Sequence, residues 1–325
     1  MTVATTEAGA ARPALPPELV RVLSRLGAVL ILGVALSLLS GAFLTVVNLV
    51  NVLRQASLLF FMSSGLTLVV ITAGLDLSVG ATIGLAACVA GAAIKSTGDP
   101  WVGVAVALSV GAAVGLLNGM MVSLLRIPSF IATYGMLWVL QGLTYTFMAG
   151  ATVYGFPRGF RQLGNGYLLG VPIPVIVMAA LLVVGTVFAQ RSVWGQQITM
   201  IGANPTAARL SGVPVKRRLI LVYTLSGLAA GFASLVFLAR LNSAEADIGG
   251  SLTLPAIAAV LIGGASLFGG VGTLTGTFVG TLLLTLVLNG MNLLHVEGNW
   301  QPLVTGVIIV AAVWLDLRDN RAHNK

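Results

Sequence analysis

Gly74-Leu75-Asp76-Leu77-Ser78-Val79-Gly80 interrupts two uncharged apolar stretches, 55–75 and 77–94. Each flank approaches the roughly 20 residues that a helix needs to cross about 30 Å of hydrocarbon. An acid, a serine and two glycines suit a bend whose released backbone groups are taken up by side chains. Working outward, the charges leave further uncharged windows at 26–53, 100–125, 127–157, 162–190, 219–239, 248–296 and 298–315. The 248–296 window corresponds to about 73 Å of helix, so it is expected to cross twice. Its break is expected at Leu267-Phe268-Gly269-Gly270-Val271-Gly272, where glycines permit a tight turn. Residues 192–208 are uncharged too, but Gln196, Gln197, Thr199, Asn204 and Pro205 make a poor span. The pattern predicts an all-α polytopic membrane protein with about ten transmembrane helices.

Composition agrees with that reading. Of 325 residues, 57% are hydrophobic and 8% charged, and the mean hydropathy is +1.01. A soluble domain spends about a quarter of its residues on charge. Disorder, collagen and a disulfide scaffold are excluded by the same figures. The single cysteine, Cys88, lies in an apolar run and reads as a packing residue. The net charge of +8 is scattered along the chain and makes no nucleic-acid stripe.

The basic residues set an orientation. With both termini cytoplasmic, the inside segments hold Arg12, Arg21, Arg25, Arg126, Arg191, Arg209, Lys216, Arg217, Arg218, Arg318, Arg321 and Lys325. The outside segments hold only Arg54, Lys95, Arg158, Arg161 and Arg240. The expected layout is a disordered cytoplasmic tail over 1–18, one transmembrane domain over 19–318 with a cytoplasmic loop at 190–218, and a short cytoplasmic tail over 319–325.

Reactive chemistry is not visible. His295 and His323 have no partner at ligand spacing, so no metal site is expected. Lys95 lacks the glycine before it that a phosphate-cradling loop requires. Ser78 and Asp76 alone do not assemble a nucleophile, base and orienting acid. Asp76 is the one carboxylate between two membrane windows; Glu245, Asp247 and Glu297 are expected outside, and Asp316 and Asp319 at the inner exit. One acid is thin provision for an ion-driven pump. Work is therefore expected to be powered by another subunit.

Several features invite a role. Asp76 either caps the helix that follows or faces a polar route. Asn204, Pro205 and Gly212 suit the cap, first position and stop of a short helix in the longest cytoplasmic loop. That helix is either a lipid-surface element or a docking element, and Ala207 and Ala208 are small enough for close approach. Gly111, Gly115 and Gly119, and again Gly263, Gly264, Gly276 and Gly280, fit close helix packing. Tyr154, Phe156, Arg158, Phe160, Arg161 and Tyr167 in the outer loop 150–171 read as an interfacial belt, the alternative being a surface that meets a substrate-delivering protein.

Taken in order, Gly74–Gly80, Ile127-Pro128-Ser129-Phe130-Ile131-Ala132-Thr133, Gly202–Val213, Ala256-Ile257-Ala258-Ala259-Val260 with Gly263-Gly264, and Asn289-Gly290-Met291 resemble the permeases of bacterial ABC importers for monosaccharides. The likeness is to the ribose, xylose and arabinose type and covers about residues 40–318. It implies a type II importer-like permease in the bacterial cytoplasmic (inner) membrane. It also implies a second permease copy or sister permease, a cytoplasmic ATPase that uses the ATP, and an extracytoplasmic binding protein that delivers the sugar. No cofactor is expected on this chain and it is not expected to be an enzyme. By the same resemblance Asn204, Pro205, Ala207, Ala208, Arg209, Leu210, Ser211 and Gly212 form the helix that couples to the ATPase. Candidates for the translocation path are Asp76, Ser78, Asn118, Phe130, Thr133 and Asn289. Thr253 and Pro255 stand where many relatives of this type have Glu and Asp, which bears on the substrate. The alternative is a secondary transporter or facilitator acting alone.

Overall fold

A computed structural model describes residues 17–323. Its helices are α1 (Pro17–Leu39), α2 (Val46–Ile71), α3 (Val79–Thr97), α4 (Pro100–Ser123), α5 (Ser129–Met148), α6 (Arg158–Asn165), α7 (Ile173–Arg191), α8 (Val193–Ala203), α9 (Pro205–Leu210), α10 (Val215–Leu241), α11 (Thr253–Ile262), α12 (Leu274–Leu293) and α13 (Gln301–His323). Two ribbons of two-residue strands complete it, β1 (Val153–Tyr154) with β4 (Ser243–Ala244), and β2 (Tyr167–Leu168) with β3 (Val171–Pro172). The tail expected over 1–18 lies outside the described residues except for its last two positions, which open α1. At the other end α13 carries on through His323, past the boundary expected at 318.

Each uncharged window contains a helix, yet ten full spans do not result. Among the described residues six helices are long and apolar enough to cross a bilayer: α2, α3, α4, α7, α10 and α12. The greatest departure is in the 248–296 window, where α11 has only 10 residues, about 15 Å of helix. The chain before it, from Ala244 to Leu252, has no regular α-helix and descends along α3. A Cβ built on Gly91 would meet Ala244, one on Gly84 would meet Ala246, and one on Gly80 would meet Gly249. Irregular backbone at this depth is tolerated because it lies against protein. Glu245 and Asp247 travel with it, so Asp247 lies between the levels of Gly84 and Gly80 rather than in an outer loop.

α2 is the central helix, with 89% of its apolar window buried. α4 and α10 pack backbone to backbone: Gly111 and Gly115 of α4 face Gly227, Gly231 and Tyr223 of α10, and Gly119 faces Ile220. The expected small-residue contacts are thus one antiparallel seam. A second closes the hairpin of α11 and α12, where Gly263 meets Gly276 and Ala259 meets Gly280. Cys88 is buried among Ala87, Ala90 and Leu235. In the loop 150–171 Phe156 and Phe160 are buried in that same cluster, their rings 5.9 Å apart. The loop's anchoring therefore removes both from the expected belt, whereas Tyr154 and Tyr167 stay exposed.

Candidate functional site

The break between α2 and α3 is a closed polar bracket. Asp76 is 2% exposed. Its Oδ1 accepts from Ser78 N at 3.1 Å and Ser78 Oγ at 2.7 Å, and its Oδ2 accepts from Ser226 Oγ at 3.1 Å. Asn118 Nδ2 donates to Ser78 Oγ at 2.8 Å, while Asn118 Oδ1 is buried with no partner. The Thr133 hydroxyl accepts from Leu77 N at 3.1 Å and shares its proton between Leu75 O at 3.2 Å and Ser129 O at 2.8 Å. Ser129 Oγ receives Leu75 N at 3.2 Å, and Tyr223 Oη reaches Leu75 O at 3.4 Å.

Inside a membrane such backbone groups have no water to turn to, so the hydroxyls of Ser129 and Thr133 on α5 and Tyr223 on α10 take them up, while Asn118 of α4 and Ser226 of α10 satisfy the side chains of Ser78 and Asp76. Asp76 acts one step earlier than the cap expected of it. Ser78 occupies the cap position of α3, and the Asp76 carboxyl takes Ser78's own amide, ordering the turn that leads in. Sequence reasoning missed Ser226 and Tyr223; the only available signal was a polar group within an apolar span, which names no partner.

The path candidates separate in space. Asp76, Ser78, Asn118 and Thr133 converge in the bracket and are all buried. Phe130 lies on α5 too, but it is 54% exposed and stacks on Tyr134, which meets Trp138 edge-on. Asn289 is at the far end of the bundle, exchanging amide hydrogen bonds with Asn48 at 2.8 and 3.2 Å.

Below the bracket lies the loop formed by α8 and α9. Asn204 Oδ1 accepts from Thr206 N and Ala207 N, both at 3.0 Å, and Pro205 fills the first position. At the other end Gly212 takes φ +82°, and its amide donates to Arg209 O at 3.0 Å. This is the helix expected from its caps. Ala208, however, is buried with Ile201, Val213 and Val215, so it roots the helix instead of lining its contact face. Leu210, at 85% exposed, points away. Lys216 and Arg217 are exposed, while Arg218 Nε donates to Gln197 Oε1 at 2.6 Å and covers Trp194.

The two places touch. Gly202, at the end of α8, lies against Ile71 O and Gly270, and Gly270 N donates to Ile71 O at 2.8 Å. The turn from α11 to α12 is held by Arg25 Nη1 on Gly263 O at 2.7 Å and by Asp316 Oδ2, which accepts from Ser266 Oγ at 3.0 Å. Among the described residues no group of three or more His, Cys, Asp or Glu is placed to hold a metal.

Six apolar helices long enough to span among the described residues, two of which, α2 and α3, meet at the buried polar break, define a multi-pass membrane protein. The chain belongs to the family described as branched-chain amino acid transport system / permease component, whose pattern matches residues 48–313. It is similar to the ribose import permease protein RbsC of Escherichia coli K12, 40% identical over 293 residues, 89% of this chain and 91% of that one. RbsC of Bacillus subtilis 168 is 37% identical over 288 residues, 88% and 89% of the two chains. The galactose/methyl galactoside import permease protein MglC of Escherichia coli K12 is 33% identical over 293 residues, 84% and 87% of the two. No solved structure matches the chain.

Proposed function

We propose that this chain is the membrane-spanning subunit of an ATP-driven ABC importer for a monosaccharide or similar polyol. The family description speaks of branched-chain amino acids, but the nearly full-length relatives just described are named for ribose and galactose import. Likeness along the whole chain outweighs a family-wide label. In this reading the protein has no ATPase site of its own. ATP is used by a cytoplasmic partner, a second permease completes the route, and an extracytoplasmic binding protein hands over the sugar. Both termini and the α8–α9 loop are cytoplasmic, in the inner membrane of a bacterium. Ten crossings follow if Ala244–Leu252 and α11 together make one.

The observation that carries the reading is the build of α9. A six-residue helix is too short to stand unaided, yet it is capped at both ends and rooted by Ala208, with Leu210 extended from it. An exposed leucine on a fixed mount suits a groove in a partner protein. Of the path candidates, we assign Phe130 to the route, on the exposed aromatic side of α5, with Asp247 as a carboxylate that accepts from sugar hydroxyls. Asp76, Ser78, Asn118, Thr133 and Asn289 frame the bundle.

Leu210→Glu tests this in proteoliposomes containing the ATPase and binding protein. The expected result is normal insertion with ATP-driven uptake reduced at least tenfold and ATPase association lost. Uptake at the unmodified rate, with or without ATP, would return the chain to the stand-alone facilitator.

A further inference from the structure

Among the described residues, two arginines at the end of the bundle opposite α9 have no negative partner. Arg54 of α2 and Arg240 of α10 are each half-buried, and Asn165 joins them, its Nδ2 donating to Arg240 O at 3.1 Å. Arg54 Nη2 donates to Asn165 O at 3.0 Å, and its guanidinium lies 4.8 Å from the centre of the Tyr167 ring. Arg54 Nε and Arg240 Nη1 are buried with no hydrogen-bond partner among the described residues. A buried unpaired donor is costly, and two adjacent like charges compound the cost. An anion with several oxygens answers both demands, because guanidinium forks bind phosphate oxygens in pairs.

The surroundings indicate which anion. From Arg218 to Arg240, α10 rises about 33 Å, close to a hydrocarbon thickness of about 30 Å. Each of these arginines therefore lies at one interface, and an arginine is covered by an aromatic ring at both: Trp194 over Arg218, Tyr167 over Arg54. Aromatic rings favour this level. The β2–β3 ribbon that brings Tyr167 to Arg54 turns through Leu169 and Gly170, and Leu169 is 97% exposed beside exposed Leu168. An apolar tip next to two unpaired cations matches acyl chain beside headgroup.

We propose that Arg54 and Arg240 hold the phosphate of an anionic phospholipid headgroup, with the Leu168–Leu169 turn against its acyl chains. The inference needs only the membrane reading and is independent of sugar, ATPase and coupling.

The test uses the purified full chain in detergent, with thermal unfolding followed on adding phosphatidylglycerol, phosphatidylcholine or inorganic phosphate. Phosphatidylglycerol is expected to raise the midpoint by several degrees more than phosphatidylcholine. Arg54→Gln/Arg240→Gln should weaken its apparent affinity at least tenfold, and Arg240→Lys should do so in part, since charge remains but the fork is lost. Arg161→Gln, an exposed arginine of the same loop, should leave it unchanged. Native mass spectrometry of each variant keeps the readout should the double variant be less stable. An equal effect of both lipids, or unaltered retention of phosphatidylglycerol by the double variant, would overturn the proposal. So would reproduction of the shift by inorganic phosphate, which marks a free-anion site. Unchanged lipid binding with lost capture of an acidic soluble binding protein would reassign the arginines to protein docking.

Discussion

Gly202 lies against the carbonyl of Ile71, the last residue of α2, leaving no room for a side chain between them. The same carbonyl accepts from Gly270 N at 2.8 Å. Five residues beyond Ile71 stands Asp76, so the α8–α9 loop and the polar bracket share a single support.

Gly202→Ala should break that support. The added carbon would meet backbone atoms of Ile71 and Gly270, which yield less readily than a side-chain tip. Overpacking of this kind costs about 1–3 kcal/mol. The expected phenotype is retained ATPase binding with ATP hydrolysis poorly converted into uptake, measured as sugar moved per ATP consumed. An unchanged ratio would show that the junction transmits nothing.

Asp76 can be tested by shape against charge. In Asp76→Asn the remaining oxygen still accepts from Ser78, and the Ser226 hydroxyl turns to accept from the new amide, so stability should fall by no more than about 1 kcal/mol. Asp76→Ala leaves Ser78 and Ser226 with buried unpaired donors, at about 1–3 kcal/mol for each group. Thermal midpoints should therefore fall clearly for Ala and little for Asn, with uptake following stability. Abolished uptake in an Asp76→Asn protein of normal midpoint would assign the charge itself to the route.

Asp247 is exposed at a level set by Gly80 and Gly84 of α3. Asp247→Asn should lower the maximal rate of uptake several-fold while complex assembly stays normal, because one acceptor becomes a donor. Wild-type uptake would remove Asp247 from the route.

A cysteine replacing Ser211, exposed after the end of α9, should react with an impermeant maleimide in inside-out vesicles and not in intact cells. Labelling of intact cells would invert the orientation argued from Arg191 to Arg218.

What the sequence made legible was local. Asn204, Pro205 and Gly212 carry the geometry of α9 in their own chemistry, and Gly111, Gly115 and Gly119 recur at the spacing of one helix face. The bend at 74–80 announces itself by composition. Long-range pairing was not legible: Asn48 with Asn289 and Asp76 with Ser226 join residues far apart in the chain, which no spacing rule reaches. An uncharged window reports length and not conformation, so 248–296 concealed that Ile248–Leu252, the end of the stretch without regular α-helix that starts at Ala244, lies within it. Ala208 was misread because six residues are too few to establish which side of a helix faces in.

Ala208 and Leu210 sit two positions apart and answer to different judges. A change at Ala208 disturbs the loop's own interior and will be rejected by folding whichever partner is present. In the proposed importer a change at exposed Leu210 leaves the fold intact and is judged only by the partner that would receive it. Two related importers in one cell could thus keep their subunits from mixing by varying the tip of this peg while its root stays the same.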